Sequence, residues 1–122
     1  ITLEVKGSGY CHQIDGTVTA EGLPMILDID GYRMQMVPEG VMVIQFNDDE
    51  PGVIGMVGTL FGTYKVNIAD MTLSRRDNQA LMVFKIDAPP PAQVLEQLRN
   101  ACPPIRIVAP VELPKISGVR VE

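Results

Sequence analysis

The sequence predicts an α+β fold, in which a ferredoxin-like β-α-β-β-α-β unit is preceded by a small β-meander. Short segments of alternating polar and apolar residues occupy positions 1–37. An apolar strand, a helical segment, two strands, a second helix and a last strand follow in that order. The chain has 122 residues, 46% of them hydrophobic, which suffices for about one domain with its own core.

The meander is predicted from short strands separated by turn residues. Ile1, Leu3 and Val5 alternate with polar residues, and Asp30-Gly31 is a strong hairpin signal. The other predicted strands cover 14–19, 25–29 and 32–37. A meander of this size buries little apolar surface alone. We therefore expect it either to complete a sheet supplied by residues outside the chain or to pack on the rest of the chain.

The second unit begins after the boundary Pro38-Glu39-Gly40 with an apolar strand over 41–46. Pro51 is expected in the first turn of the next helix, because its missing N–H costs nothing there. Apolar residues then recur at helical spacing, with Val53, Val57, Leu60 and Tyr64 inward and Ile54 and Phe61 beside them. Three glycines, Gly55, Gly58 and Gly62, lie along the same helix, and we attribute them to close packing of helix on sheet.

A hairpin over 68–86 and a second helix complete the unit. The hairpin turns at Arg76-Asp77-Asn78-Gln79, and its return strand directs Ala80, Met82, Phe84 and Ile86 to the core. Leu81 and Val83 are apolar on the opposite face, which indicates a subunit contact. The run Pro89-Pro90-Pro91 precedes the second helix and Pro103-Pro104 ends it, before a strand over 105–108.

These elements divide the chain into a β-rich fragment over 1–38, a β-α-β-β-α-β domain over 39–109 and an extended tail over 110–122. Two helices cover one face of the predicted sheet. The other face also needs cover, so we expect dimerisation or a neighbouring domain.

Composition limits the partners. Ten basic and 15 acidic residues give a formal charge of −5, which argues against nucleic acid and anionic membranes. No apolar run approaches the roughly 20 residues that span a membrane. Arg75-Arg76, the one basic pair, is expected to be solvated at the hairpin. Because the chain begins at Ile1 without Met, we expect it to be a piece of a longer protein.

The two cysteines, Cys11 and Cys102, are far apart and have no metal-ligand spacing. A secreted disulfide is possible in principle, but the reduced pair of a cytoplasmic protein fits better. Cys11 and the only histidine, His12, are neighbours in a strand and point to opposite faces, which disfavours a nucleophilic pair. We therefore predict no metal site and no catalytic residue in this chain.

A ligand site is predicted where the first strand of the second unit meets its helix, at Asn47-Asp48-Asp49-Glu50-Pro51-Gly52. Unpaired helix N–H groups would favour a carboxylate there, and Asp49 could take an ammonium group. Asn47 and Asn67 could read a side-chain hydroxyl. The plainer alternative, preferred on the pattern alone, makes Asp49 or Glu50 a helix cap and Asn67 a turn residue.

Residues 41–108 resemble the ACT domain, a small-molecule-binding module of amino-acid metabolism. The matching segments are Asn47-Asp48-Asp49-Glu50-Pro51-Gly52-Val53-Ile54-Gly55, Val57-Gly58-Thr59-Leu60, Val66-Asn67-Ile68-Ala69-Asp70-Met71 and Ala80-Leu81-Met82-Val83. The resemblance is closest to the C-terminal regulatory region of the D-3-phosphoglycerate dehydrogenase family. Gly16-Thr17-Val18 and Ile29-Asp30-Gly31-Tyr32 resemble the end of the intervening domain in its long form.

The resemblance implies L-serine, or another small amino acid, bound between two ACT domains that pair side by side into one continuous sheet. The implied contacts are Asn47, Asp49 and Asn67, with the backbone of Pro51, Gly52, Val53 and Ile54. Glu50 departs from the family, which more often has Arg before the Pro; an inward charge there would disfavour a carboxylate. No cofactor is expected in this fragment, and NAD belongs to the catalytic part of the implied dehydrogenase.

Two alternatives stay open at this point. The unit could be a structural dimerisation module without a ligand, or the regulatory end of an iron–sulfur L-serine dehydratase. The sequence shows no nucleotide fingerprint and no cluster-ligand pattern that would favour an independent enzyme.

Overall fold

The first half of the fold is an antiparallel meander. A computed structural model describes residues 2–7, 10–100 and 105–113 of the chain. The meander strands are β1 (Thr2–Gly7), β2 (Tyr10–Val18), β3 (Pro24–Ile29) and β4 (Tyr32–Met36). They pair in chain order, β1-β2-β3-β4. The predicted hairpin at Asp30-Gly31 is confirmed, and both residues have the positive φ that such a turn requires, 52° and 87°.

The second half is the predicted β-α-β-β-α-β unit. Its elements are β5 (Gly40–Asp48), α1 (Val53–Thr63), β6 (Ile68–Arg76), β7 (Gln79–Ile86), α2 (Ala92–Asn100) and β8 (Ile105–Leu113). The strand order is β6-β7-β5-β8, with all pairs antiparallel. The α+β, ferredoxin-like prediction is therefore confirmed.

The last strand runs past the predicted end of the unit. Strand β8 runs to Leu113, so residues 110–113 of the predicted tail belong to it. Residue 1, the helix stop at Pro103-Pro104, Cys102 and residues 114–122 of the tail lie outside the described residues.

One face of the second sheet packs against the helices. Its core consists of strand residues Val43, Met82, Phe84 and Ile86 together with helix residues Val53, Val57, Phe61, Val94, Leu95 and Leu98. Phe61 of α1 and Phe84 of β7 meet edge to face with ring centroids 5.4 Å apart. The inward positions predicted for Val53 and Val57 are confirmed, whereas Leu60 and Tyr64 are only partly buried. Of the two residues predicted beside them, Phe61 is fully buried and Ile54 is 42% exposed.

The other face of this sheet packs against the meander of the same chain. Leu81 is 0% exposed and packs with Ile29 and Tyr32 of the meander. Val83 is 1% exposed and packs with Met36 and Met42. The expectation that Leu81 and Val83 form a subunit contact is wrong, because the meander already covers them. Of the two expectations for the meander, packing on the rest of the chain is the one realised.

Polar groups also join the two sheets. Lys85 Nζ of β7 donates to the carbonyl oxygen of Val37 over 2.6 Å. Arg76 Nη1, at the end of β6, donates to the carbonyl oxygen of Asp30 over 2.9 Å. Arg76 is thus a structural contact with the meander hairpin, and the expectation that it is merely solvated is wrong.

The glycines of α1 do not serve the packing that we expected. Gly55, Gly58 and Gly62 are exposed, and a Cβ added to any of them would have nothing within 4 Å. Close packing of helix on sheet therefore does not explain them within one copy of the chain. They leave the outward side of α1 without side chains at three positions.

None of the helices in the described ranges is long and apolar enough to cross a membrane.

Candidate functional site

The predicted site lies at the end of the second sheet where β5 gives way to α1. Strand β5 ends at Asp48 and α1 begins at Val53. Gly52 is the N-cap residue, with φ 89° and ψ −9°, a left-handed conformation that favours glycine. Pro51 precedes this residue, so its expected position in the first helical turn is wrong by two residues. Gly52 fixes the direction in which the helix leaves the strand.

The start of α1 has no side-chain cap. The first helical hydrogen bond runs from the Met56 N–H to the Gly52 carbonyl oxygen, 2.9 Å. Within the part of the chain that the structure describes, no side chain bonds to the N-terminal N–H groups, and the first turn of α1 contains no acidic residue. The alternative in which Asp49 or Glu50 caps the helix is therefore wrong. The N–H groups of Val53, Ile54 and Gly55 have no partner within the helix, as at any uncapped N-terminus.

Asn47 lies beneath the loop rather than at its surface. It is 0% exposed. Its Oδ1 accepts from Gln45 Nε2 over 3.1 Å, and its Nδ2 donates to the Asp48 carbonyl oxygen over 2.7 Å. Gln45 is also 0% exposed, and its Oε1 has no partner among the described residues. The orientation of the Asn47 amide is thus fixed from both sides.

The next two residues of the loop are held by the β6–β7 hairpin. Asp48 Oδ1 accepts from Gln79 Nε2 over 2.9 Å. The Asp49 N–H donates to the Asn78 carbonyl oxygen, also over 2.9 Å. Asn47 is therefore held by Gln45, Asp48 by Gln79, and Asp49 by the carbonyl oxygen of Asn78. Gln45 could have been noticed in the sequence as a polar residue within an apolar strand.

Asp49 forms an ion pair that the sequence analysis missed. Its Oδ2 lies 3.4 Å from Nε of Arg75, and the two side chains are 30% and 65% exposed. Arg75 follows Leu73 by two residues on the helix-covered side of β6, and Arg76 points to the meander. Because β5 and β6 are both antiparallel to β7, their C-terminal residues lie at the same end of the sheet, opposite Gln79. Arg75, near the end of β6, therefore lies beside the acidic loop that follows β5.

Asn67 lies at the opposite end of the sheet. Asn47 pairs with Ala80 of β7, whereas Ile68 pairs with Ile86, six residues away. At about 3.3 Å per residue, the two asparagines are roughly 20 Å apart. Asn67 Nδ2 donates to Asp87 Oδ2 over 2.7 Å, beside an open cavity that Ala69 and Asp87 help to line. One copy of the chain therefore does not bring Asn67 together with Asn47 and Asp49.

The remaining predicted residues surround the loop in different ways. Val53 is 5% exposed and its side chain belongs to the core, so only its backbone is available to a ligand. Ile54 is 42% exposed. Pro51, Gly52 and Glu50 are exposed. The exposed surface at the helix start thus consists of backbone, the aliphatic side chains of Pro51 and Ile54, and two carboxylates, Asp49 and Glu50.

The described residues contain no group of three or more His, Cys, Asp or Glu side chains that could hold a metal ion. Cys11 Sγ lies 3.7 Å from Glu4 Oε1, and loss of hydration together with the Glu4 carboxylate raises the pKa of this thiol. His12 instead bonds through Nδ1 to Asp30 Oδ2 over 2.6 Å. Cys11 and His12 thus have different partners, as expected of neighbours in a strand, and a raised pKa is the reverse of what a nucleophilic thiolate needs.

Comparison with known proteins places this geometry in context. The profile of the ACT domain family matches residues 41–103, which are 63 of the 122 residues. The D-3-phosphoglycerate dehydrogenase of Archaeoglobus fulgidus is 44% identical over 77 residues, 60% of this chain. The enzyme of the same name from Methanocaldococcus jannaschii is 37% identical over 74% of the chain, and that of Synechocystis sp. 31% over 80%. The matched regions make up 15%, 17% and 18% of those relatives, so the chain corresponds to a small part of their length.

Proposed function

Because the chain belongs to the ACT domain family, we propose that it is the regulatory and oligomerisation region of a D-3-phosphoglycerate dehydrogenase that binds L-serine or another small amino acid. The names of the relatives support the parent enzyme. In this proposal the protein is cytoplasmic, and catalysis and NAD belong to a part of the enzyme outside this chain. The ligand adjusts catalysis as the end product of serine biosynthesis.

One observation carries the proposal: the two halves of the predicted site lie at opposite ends of an edge strand. In the described residues β6 pairs with β7 alone, which leaves its other edge without a strand partner. Asp49 and Arg75 lie near its C-terminal end, and Asn67 immediately precedes its first residue, Ile68. If two β6 strands pair antiparallel about a twofold axis, the N-terminal end of β6 in one copy lies beside the C-terminal end of β6 in the other.

This pairing would form one continuous eight-stranded sheet with two equivalent ligand sites. Each site would combine Asp49 and the helix start of one copy with the partner subunit's Asn67. The exposed side chains Met71 of β6 and Ile54 of α1 supply apolar surface near this edge, 40% and 42% exposed. The outward glycines of α1 would let a second backbone approach closely.

Within the site, Asp49 would receive the ammonium group of the ligand, and the N–H groups of Val53 and Ile54 its carboxylate. The amide of the partner subunit's Asn67 would read the side-chain hydroxyl, after it exchanges its bond to Asp87 for one to the ligand. Asn47 is buried, so it would contact the ligand only if the loop over 48–51 moves aside. Otherwise it supports the site from below.

Such a site couples binding to assembly. A ligand that contacts both copies binds the dimer and not the monomer, so it stabilises the dimer by mass action. Feedback on the catalytic part would require the ligand to bind two conformations of the enzyme with different affinities.

The proposal is tested by mixing two variants. Calorimetry with L-serine should show binding to the unsubstituted dimer and none to Asn67→Ala or Asp49→Ala. An equal mixture of the two variants should recover binding at about a quarter of the sites, because roughly half of the dimers are mixed and each has one intact site.

Two outcomes would contradict the proposal in different ways. If the variants do not complement each other although each is a folded dimer, Asp49 and Asn67 do not share a site between copies. If the unsubstituted dimer gives no heat at millimolar L-serine, the chain is a structural dimerisation module for which serine is not the ligand.

A further inference from the structure

We propose that Arg75 joins the N–H groups of Val53 and Ile54 in binding the carboxylate of the amino acid and so restricts the ligand to molecules with a free carboxylate; this rests on the proposed function. Asp49 binds the ammonium group of the same molecule. The Asp49–Arg75 ion pair, with 3.4 Å between Oδ2 and Nε, thus presents one charge of each sign to a zwitterion.

The loop after β5 is acidic and leaves a ligand carboxylate without a positive side chain of its own. An amino acid carries a positive and a negative group a few ångströms apart, and its receptor needs both complements. The loop supplies Asp48, Asp49 and Glu50 and no basic residue. The start of α1 adds only about half of a positive charge, which the exposed Glu50 opposes. Arg75 is the full positive charge that the structure places at Asp49.

The Arg75 side chain is placed to contact a ligand as well as Asp49. Its contact with Asp49 is through Nε, which carries one of the five N–H donors of the guanidinium group. The other four are on the two terminal nitrogens, in a geometry that matches a carboxylate. The side chain is 65% exposed, so an incoming ligand can reach it. An ion pair this exposed contributes about 0–1 kcal/mol to folding, which makes a purely structural role a poor explanation.

The neighbouring arginine has the structural role instead. Arg76 points to the other side of β6 and donates to the Asp30 carbonyl oxygen over 2.9 Å. Two adjacent residues of one type therefore have separate tasks: Arg76 holds the meander and Arg75 stands at the site. This makes Arg76 a matched control for Arg75.

The proposed pairing of two β6 strands would also bring Arg75 to the ligand site. Arg75 is next to last in β6, and Ile68 is first. Antiparallel pairing of two β6 strands places the last residues of one copy beside the first residues of the other. Arg75 would then lie between Asp49 of its own copy and the partner subunit's Asn67, where the ligand is expected.

The experiment compares L-serine with L-serinamide, which keeps the amine and the hydroxyl but lacks the carboxylate. Calorimetry is performed on the unsubstituted chain, Arg75→Met, Arg75→Lys and Arg76→Met. The unsubstituted chain should prefer L-serine. Arg75→Met should weaken L-serine binding tenfold or more and leave L-serinamide binding almost unchanged, so the preference is lost. Arg75→Lys should keep part of the preference, and Arg76→Met all of it.

The possible failures are distinguishable. If the folded, unsubstituted dimer binds no L-serine, the proposed function is overturned, and the role of Arg75 with it. If it binds L-serine and Arg75→Met binds equally well or more tightly, Arg75 only screens Asp49, and this inference alone is overturned. If Arg76→Met loses the preference as much as Arg75→Met, the effect is one of net charge, and the assignment to Arg75 is again wrong.

Discussion

The two faces of the second sheet are both buried, but by different means. The helix-covered face has one continuous apolar cluster of ten buried residues, contributed by both strands and helices. The meander-covered face has two clusters with three buried residues each, together with hydrogen bonds from Lys85 and Arg76. The helix face is built mainly by apolar packing, with Gln45 and Asn47 as buried polar residues at one end of it. The meander face combines smaller apolar contacts with hydrogen bonds between the two sheets.

Because both faces of the sheet are covered, β7 has almost no exposed residue. Ala80 to Phe84 are all buried, with even-numbered residues toward the helices and Leu81 and Val83 toward the meander. A strand buried on both faces has a continuous apolar sequence rather than an alternating one. The apolar residues Leu81 and Val83, on the face of β7 away from the helices, therefore indicated a second covering layer within the chain.

The largest expected effect is on the helix face. Phe61→Ala removes a fully buried ring that packs on Phe84, and it should lower the free energy of unfolding by about 3–5 kcal/mol. Urea unfolding followed by circular dichroism measures this. A loss below about 1 kcal/mol would mean that α1 does not pack on the sheet as described.

A smaller loss is expected on the meander face. Leu81→Ala should cost about 3 kcal/mol, because Leu81 is 0% exposed between β7 and the meander. Leu27→Ala, at a position 37% exposed, is the matched control and should cost less than about 1 kcal/mol. Equal losses would show that the meander does not cover this face.

The polar contacts between the two sheets are tested at two glycines of the meander. Gly31 and Gly22 have similar positive φ, 87° and 82°, so an alanine at either should cost about 1–2 kcal/mol of backbone strain. An added Cβ at Gly31 would lie 2.7 Å from Arg76 Nη1, whereas at Gly22 it meets nothing within 4 Å.

Gly31→Ala should therefore cost about 1 kcal/mol more than Gly22→Ala, because Arg76 must release the Asp30 carbonyl. When each glycine substitution is made separately in an Arg76→Met background, this difference in the free energy of unfolding should vanish. If it persists there, the excess cost comes from the hairpin backbone and not from Arg76.

The smallest effect on stability is expected at Arg75. Its ion pair with Asp49 is exposed, so Arg75→Met should change the free energy of unfolding by less than about 0.5 kcal/mol. Arg76→Met should cost about 1 kcal/mol, since it removes a bond between the two sheets. If Arg75→Met is the more destabilising of the two, Arg75 supports the fold and is not free to serve a ligand.

Much of the architecture was predictable because its signals are local. The helical spacing of Val53 and Val57 and the turn at Asp30-Gly31 depend on residues close in sequence. The loop at Asp49 was also located correctly at the end of β5, although its helix cap is Gly52 and not an acidic residue. The predicted grouping of Asn47 with Asn67 in one place did not occur within one copy, because α1 crosses the whole sheet before β6 begins.

The sequence by itself determined which segments are strands and helices, and the family to which their order belongs, because periodicity and turn chemistry act over a few residues. Only the tertiary structure decided that the meander covers Leu81 and Val83, that Asn47 is buried on Gln45, and that Arg75 meets Asp49 while Arg76 meets Asp30. Those contacts depend on strand order and on which layer covers each face, and both are set by packing between residues far apart in the chain.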